Sequence, residues 1–231
     1  MRPIERGSCP TDGTGIPKVF SNYQEARGDL ITRLGEYCSF CETPLGASLA
    51  VEHMLPKKWH PHLEKDWNNL LLACTNCNST KGYKNLVLSD YYWPDRDNTA
   101  RAFIYLTGGL VRVNTNLTDA EQQQAVKTLK LTGLDRIPGN DPAMKDRRWL
   151  NRRKAWEIAE RSLQNLKRND TPSMREQIVD TATTRGFWSM WMTVFRHDPD
   201  MLERFINAFE GTCRLCFDDQ FQLVPRPRGA L

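Results

Sequence analysis

The sequence predicts an α+β protein in which a small strand-and-helix unit, clamped by a metal, precedes a mainly helical C-terminal region. Three observations carry that expectation. Two CxxC pairs, Cys38-Ser39-Phe40-Cys41 and Cys74-Thr75-Asn76-Cys77, enclose 32 residues that contain strand-like apolar runs. Helix-start signals accumulate from Thr118 onward. No apolar run approaches the ~20 residues that span a bilayer, and 231 residues with 39% hydrophobic content suffice to bury a core.

In chain order, residues 1–20 are rich in Gly and Pro and read as an arm that orders on docking to a partner. MRPIERGSCP has no apolar core of a secretory signal, so a cytoplasmic location is expected. Ser21-Asn22-Tyr23-Gln24 reads as a capping box, with Tyr23, Ala26, Leu30 and Leu34 keeping one helix face apolar until Gly35. Val51 to Pro56 reads as a strand ending at its proline, Leu70-Leu71-Leu72 as a second, and Thr75 to Lys84 as a helix limited by Gly82. Phe103 to Val113 alternates as a hairpin turning at Gly108-Gly109. Thr118 with Glu121 opens a helix that Gly133 closes, and residues 143–168 form a long one with Trp149, Trp156, Ala159, Leu163 and Leu166 on one face. Thr171-Pro172 and Asp198-Pro199 open two more, the last stopping at Gly211. The division is an arm (1–20), a metal-clamped domain (21–100), and a hairpin with helices (101–231).

In a reducing compartment paired cysteines favour metal over disulfide. Cys38, Cys41, Cys74 and Cys77 make a tetrahedral four-thiolate set, the structural zinc type, with no position left for a catalytic water. Cys213-Arg214-Leu215-Cys216 is a third knuckle; Cys9 and His197 are the ligands that would complete it, and otherwise it is a pair of buried thiols.

The enclosed segment carries Glu52-His53, then Asn69, then Asn78 straight after the second knuckle. EH…P, NNLLLAC and CNxxKG together resemble the HNH nuclease motif on a ββα-metal, treble-clef-like unit. The resemblance maps its three motif positions to His53, Asn69 and Asn78. It implies that His53 takes a proton from water, that Asn69 fixes the loop and the imidazole, and that Asn78 is a metal ligand. The third position is histidine in many members and asparagine in others. Members usually have aspartate where Glu52 stands. The chemistry agrees with the residue types, since a carboxylate and an amide oxygen suit Mg²⁺ or Mn²⁺, and an imidazole titrates near neutral pH. Lys81, one turn beyond Asn78, is placed to touch the scissile phosphate. His60 and His62 read as a polar loop near the site.

Across residues 1 to about 115 the chain further resembles the PtuB family, the HNH component of Septu anti-phage systems, also found in certain retron cassettes. That resemblance implies a PtuA-like ATPase partner and, in retrons, a reverse transcriptase with its RNA–DNA product. The expected activity is metal-dependent phosphodiester hydrolysis as a defence effector. The alternatives are a zinc-clamped nucleic-acid-binding subunit without cleavage, and a toxin cutting RNA such as tRNA at the same site.

A net charge of +4 permits a nucleic-acid partner. Candidate contacts are Lys57, Lys58, Lys81 and Lys84, with Lys145, Arg148 and Arg152 at helical spacing in KDRRWLNRRK. The competing reading of that last stretch is a solvated face packed through its tryptophans. GFWSMWMTVF, residues 186–195, is apolar on nearly every side and belongs in a core or against a partner.

Overall fold

Two short apolar runs find each other because neither can bury its faces alone. In the computed structural model, which describes residues 1–46, 50–137 and 146–231, β1 (Ala50–His53) pairs antiparallel with β2 (Leu70–Ala73), His53 opposite Leu70 and Ala50 opposite Ala73. Helix α2 (Thr75–Lys81) follows at once; the Cys74 sulfur caps it and Gly82, at φ 58°, stops it three residues before the expected end. Helix α1 (Arg27–Leu34) precedes the unit behind a 3₁₀ turn, Tyr23–Ala26. The cap differs from the expected box: Asn22 accepts from the Gln24 amide, and Glu25 accepts from the Ser21 amide.

Helix α3 (Thr99–Ala102) leads into the hairpin of β3 (Phe103–Leu106) and β4 (Leu110–Val113), in which Phe103 faces Val113. Helix α4 (Asp119–Thr132) has both halves of its Thr118/Glu121 capping box and a left-handed Gly133 at its end. The remainder is α5 (Arg148–Arg168), α6 (Pro172–Arg185), α7 (Trp188–Val194) and α8 (Pro199–Ala208).

One apolar core runs from Met1 through α1, the ββα unit and α4; a second is built by Ala159, Leu166, Ile178, Trp188, Trp191, Phe195 and Phe205. The 186–195 segment is therefore core. Glu42, directly after the first knuckle, ties the two regions together: its carboxylate accepts from the Ser189 amide (2.8 Å) and hydroxyl (2.6 Å), and its carbonyl from the Phe187 amide (2.9 Å). Gly186 permits this approach, because a Cβ there would lie 2.7 Å from the Glu42 carbonyl oxygen.

Two expectations change here. Residues 1–6 are packed into the fold and are not a free arm: Met1 and Ile4 are buried, Arg2 donates to the Leu34 and Phe209 carbonyls, and Arg6 to the Leu70 carbonyl. Arg148 and Arg152 are buried and do not follow a phosphate backbone. Arg152 donates to the carbonyls of Gly109 and Leu134, and Arg148 to those of Thr132 and Gly133. Backbone acceptors at the helix end and the hairpin turn claim these guanidiniums, which present several donors in a rigid fork. Lys145 lies outside the described residues.

Candidate active site and metal centre

The four knuckle sulfurs converge. Those of Cys38, Cys41, Cys74 and Cys77 all lie within 4.8 Å of one another, with Cys41 and Cys74 3.6 Å apart, and all four residues are buried. A tetrahedron with metal–sulfur bonds of about 2.3 Å has edges of about 3.8 Å, so the cluster has the dimensions of a four-thiolate site. Crowding splits the titrations: hydrogen bonds from Cys38, Cys41 and Cys77 pull the Cys74 thiol far down, while burial holds Cys38 up. The Arg148 guanidinium reaches the cluster from α5, donating to the Cys77 sulfur at 3.1 Å and pairing with Asp146 at 2.6 Å. A cation beside a thiolate set offsets its excess negative charge. This partner lies 71 residues from Cys77 and carries no signal in the sequence.

The Glu52–His53 pair closes β1, at the end of the strand pair away from Cys74. The His53 Nε2 lies 2.9 Å from the Glu64 carbonyl oxygen. A carbonyl can only accept, so Nε2 carries the proton and Nδ1 keeps its lone pair. Burial lowers the His53 pKa, the Glu64 bond opposes this, and Lys57 and Lys81 lower it further, so the balance favours the neutral ring. The Tyr23 ring packs on the imidazole with centroids 4.7 Å apart, and Lys57 sits over Tyr23 at 4.6 Å.

Asn69 is buried and bridges the loop that follows β1. Its Oδ1 accepts from the Leu55 amide (2.8 Å), and its Nδ2 donates to the carbonyls of Leu55 (2.9 Å) and Leu63 (3.2 Å). Leu63 neighbours Glu64, so this side chain holds in place the carbonyl that orients His53. Asn78 is half-buried on α2, one turn ahead of Lys81, on the helix that faces β1.

Lys81 is a correction. It is 2% exposed, and its Nζ lies 2.8 Å from Glu52 Oε1, a buried ion pair that binds α2 to β1. A lysine turned inward this way cannot reach a phosphate outside. Burial raises the Glu52 pKa against the opposing pull of Lys81. The pair engages one Glu52 carboxylate oxygen; the donors that Glu52 and Asn78 offer are a carboxylate and an amide oxygen. That is a sparse donor set, of the kind Mg²⁺ accepts with waters completing its shell.

Lys57, Lys58 and Lys84 are exposed around this edge, Lys57 paired with Glu64 at 2.7 Å. Beside them stand Trp59 and Tyr83, which the sequence reading did not single out; an aromatic flanked by lysines, as in KKWH and GYK, is the signal that was available. His60 and His62 pack ring to ring at 6.1 Å on the same loop. The third knuckle lacks a set of ligands: Cys213 contacts Glu5 at 3.5 Å, Cys9 sits against the Lys18 carbonyl, and no cluster of three metal-ligating groups includes either among the described residues.

The arrangement of a cysteine clamp, a β-strand histidine with its ring locked by a carbonyl, and two asparagines at set places in a ββα frame coincides with a family model for HNH endonuclease, which matches residues 38–84. Residues 38–84 are similar to HNH endonuclease domains. The chain is also similar to the Septu protein PtuB of Bacillus thuringiensis, 32% identical over 106 residues. That stretch is 43% of this chain and spans 38% of the length of the relative. Among the described residues, no helix is long and apolar enough to cross a membrane.

Proposed function

We propose that the chain is a metal-dependent nuclease that hydrolyses nucleic-acid phosphodiesters as the effector of a Septu-type anti-phage complex. The observation that supports this best is the locked His53 imidazole, whose Nε2 is committed to the Glu64 carbonyl. Its free Nδ1 takes the proton of the attacking water, and Asn69 holds the loop that sets the ring. Glu52 and Asn78 would hold a Mg²⁺ or Mn²⁺ ion, which when bound neutralises charge on the leaving oxygen. The four cysteines would hold structural zinc, the ion that closed tetrahedral thiolate sites of this spacing select. A binding module needs no oriented base, and this separates the reading from a non-cleaving subunit. By similarity to PtuB, an ATPase partner of the PtuA type would control the nuclease; in a retron version a reverse transcriptase with its RNA–DNA product would join it.

The test compares wild type with His53→Ala, each with the ATPase, on plasmid DNA and on tRNA, in Mg²⁺ or Mn²⁺, with and without ATP. Cleavage by wild type and a drop of about 10²–10⁴-fold in the variant is the expected result. Equal cleavage by both would remove His53 from the chemistry.

A further inference from the structure

We propose that Trp59 and Tyr83 form a stacking platform for an unpaired base beside the cleaved phosphate, so that the site takes single-stranded or locally unpaired nucleic acid in preference to continuous duplex. This rests on the nuclease reading above and adds the substrate's form. The first ground is exposure: among the described residues these are the two large aromatics left open to solvent, at 48% for Trp59 and 73% for Tyr83, while the other tryptophans and tyrosines are wholly or largely packed. A single exposed ring is ordinary, but two joined on one edge make a patch, and exposed apolar patches mark contact sites.

The second ground is placement. Trp59 follows His53 by six residues and Tyr83 follows Asn78 by five, so each leaves one arm of the site. The two arms are joined, since the Trp59 Nε1 donates to the Tyr83 carbonyl at 2.7 Å. That bond uses the indole edge and the backbone, so it occupies neither ring's face; Lys58 lies over one face of the indole.

The third ground is charge. Lys58 lies 5.2 Å from the centre of the Trp59 ring, and Lys57 and Lys84 are exposed on either side. Lysines alternating with open rings match a chain of phosphates alternating with bases. Bases stacked inside a continuous duplex offer no face to such rings, whereas a flipped, looped or single-stranded base does.

The test uses the full chain carrying His53→Ala, which binds without cutting, and a fluorescein-labelled single strand, as DNA and as RNA, beside the duplex of the same sequence. Anisotropy should show tighter binding to the single strand. Trp59→Ala with Tyr83→Ala should weaken that binding on the order of tenfold and leave duplex binding unchanged, while Trp59→Phe keeps most of the preference. Both side chains are exposed, so circular dichroism of the variants should match the parent. Equal losses on single strand and duplex, or no loss on either, would overturn the platform. So would loss of ATPase association with nucleic-acid binding intact, which would make the patch a protein contact. His53-dependent cleavage, read separately, keeps the nuclease reading standing if the platform alone fails.

Discussion

The segment from Ala50 to Lys81 and the segment from Pro172 to Phe209 are similar in length and differ in what they enclose. The first buries Glu52, His53, Asn69, Lys81 and two of the four clustered cysteines around four-residue strands. The second buries Ile178, Ala182, Trp188, Trp191, Phe205 and Phe209, with Ser189 as its one buried polar side chain. Aromatic burial supports the helices unaided, because each large ring removes 150–250 Å² from water. The ββα unit has spent its interior on groups that chemistry needs and that cost free energy to desolvate. A metal held by the four cysteines would supply the missing stability, together with an arginine lent by α5.

Removing the metal should therefore split the molecule. Cys38→Ser, Cys74→Ser or zinc-stripped protein should lose the order of β1, β2 and α2. A structural zinc supplies an apparent ~10–16 kcal/mol in small domains, more than a unit of this size holds otherwise. Hydrogen exchange should show amides of residues 50–81 losing protection while those of α6 to α8 keep theirs. A loss spread evenly over both regions would mean that they stand or fall together, and full protection of both would deny the metal its structural part.

The next largest effect belongs to the buried ion pair. Lys81→Met leaves Glu52 without its partner and should cost about 3–5 kcal/mol in urea denaturation. Adding Glu52→Gln should recover part of it, since the stranded charge is gone. Were Lys81 a phosphate contact instead, the single variant would keep its stability and lose only nucleic-acid affinity.

This contrast also marks what was legible in the sequence. The cysteine clamp, the Thr118 capping box and the Gly108-Gly109 hairpin are local patterns, and the fold follows each of them. The ion pair was not legible, because Lys81 shares its helix with Asn78 and only β1, 29 residues earlier, decides that it turns inward. Arg148 and Arg152 looked like a basic stripe for the same reason: their acceptors, the carbonyls of Gly109 and of Thr132 to Leu134, are far away in the chain. Spacing along a helix says which residues share a face; it does not say whether backbone carbonyls wait opposite. The segment 1–20 misled through composition, since its Gly and Pro suggested freedom where Arg2 and Arg6 are sewn into carbonyls of α1 and β2.

The smallest stability effects fall on the exposed rim. Lys57→Ala, Lys58→Ala and Lys84→Ala should each stay within about 0.5 kcal/mol of the parent, because surface substitutions seldom do more. The Lys57 link to Glu64 does not alter this, since exposed ion pairs contribute little. Their effect should appear in binding: each lysine that neutralises a phosphate on a single strand adds about 0.7 to the slope of log affinity against log salt. Removing one should flatten the slope by that amount, and removing all three should do so additively, as independent counterion sites do. Arg152→Met should leave the slope untouched while lowering the melting temperature, because its guanidinium is bound to carbonyls of Gly109 and Leu134 and releases no counterion on binding. If instead the Arg152 variant flattens the slope and the three lysine variants do not, the inward and outward cations have been assigned the wrong way round.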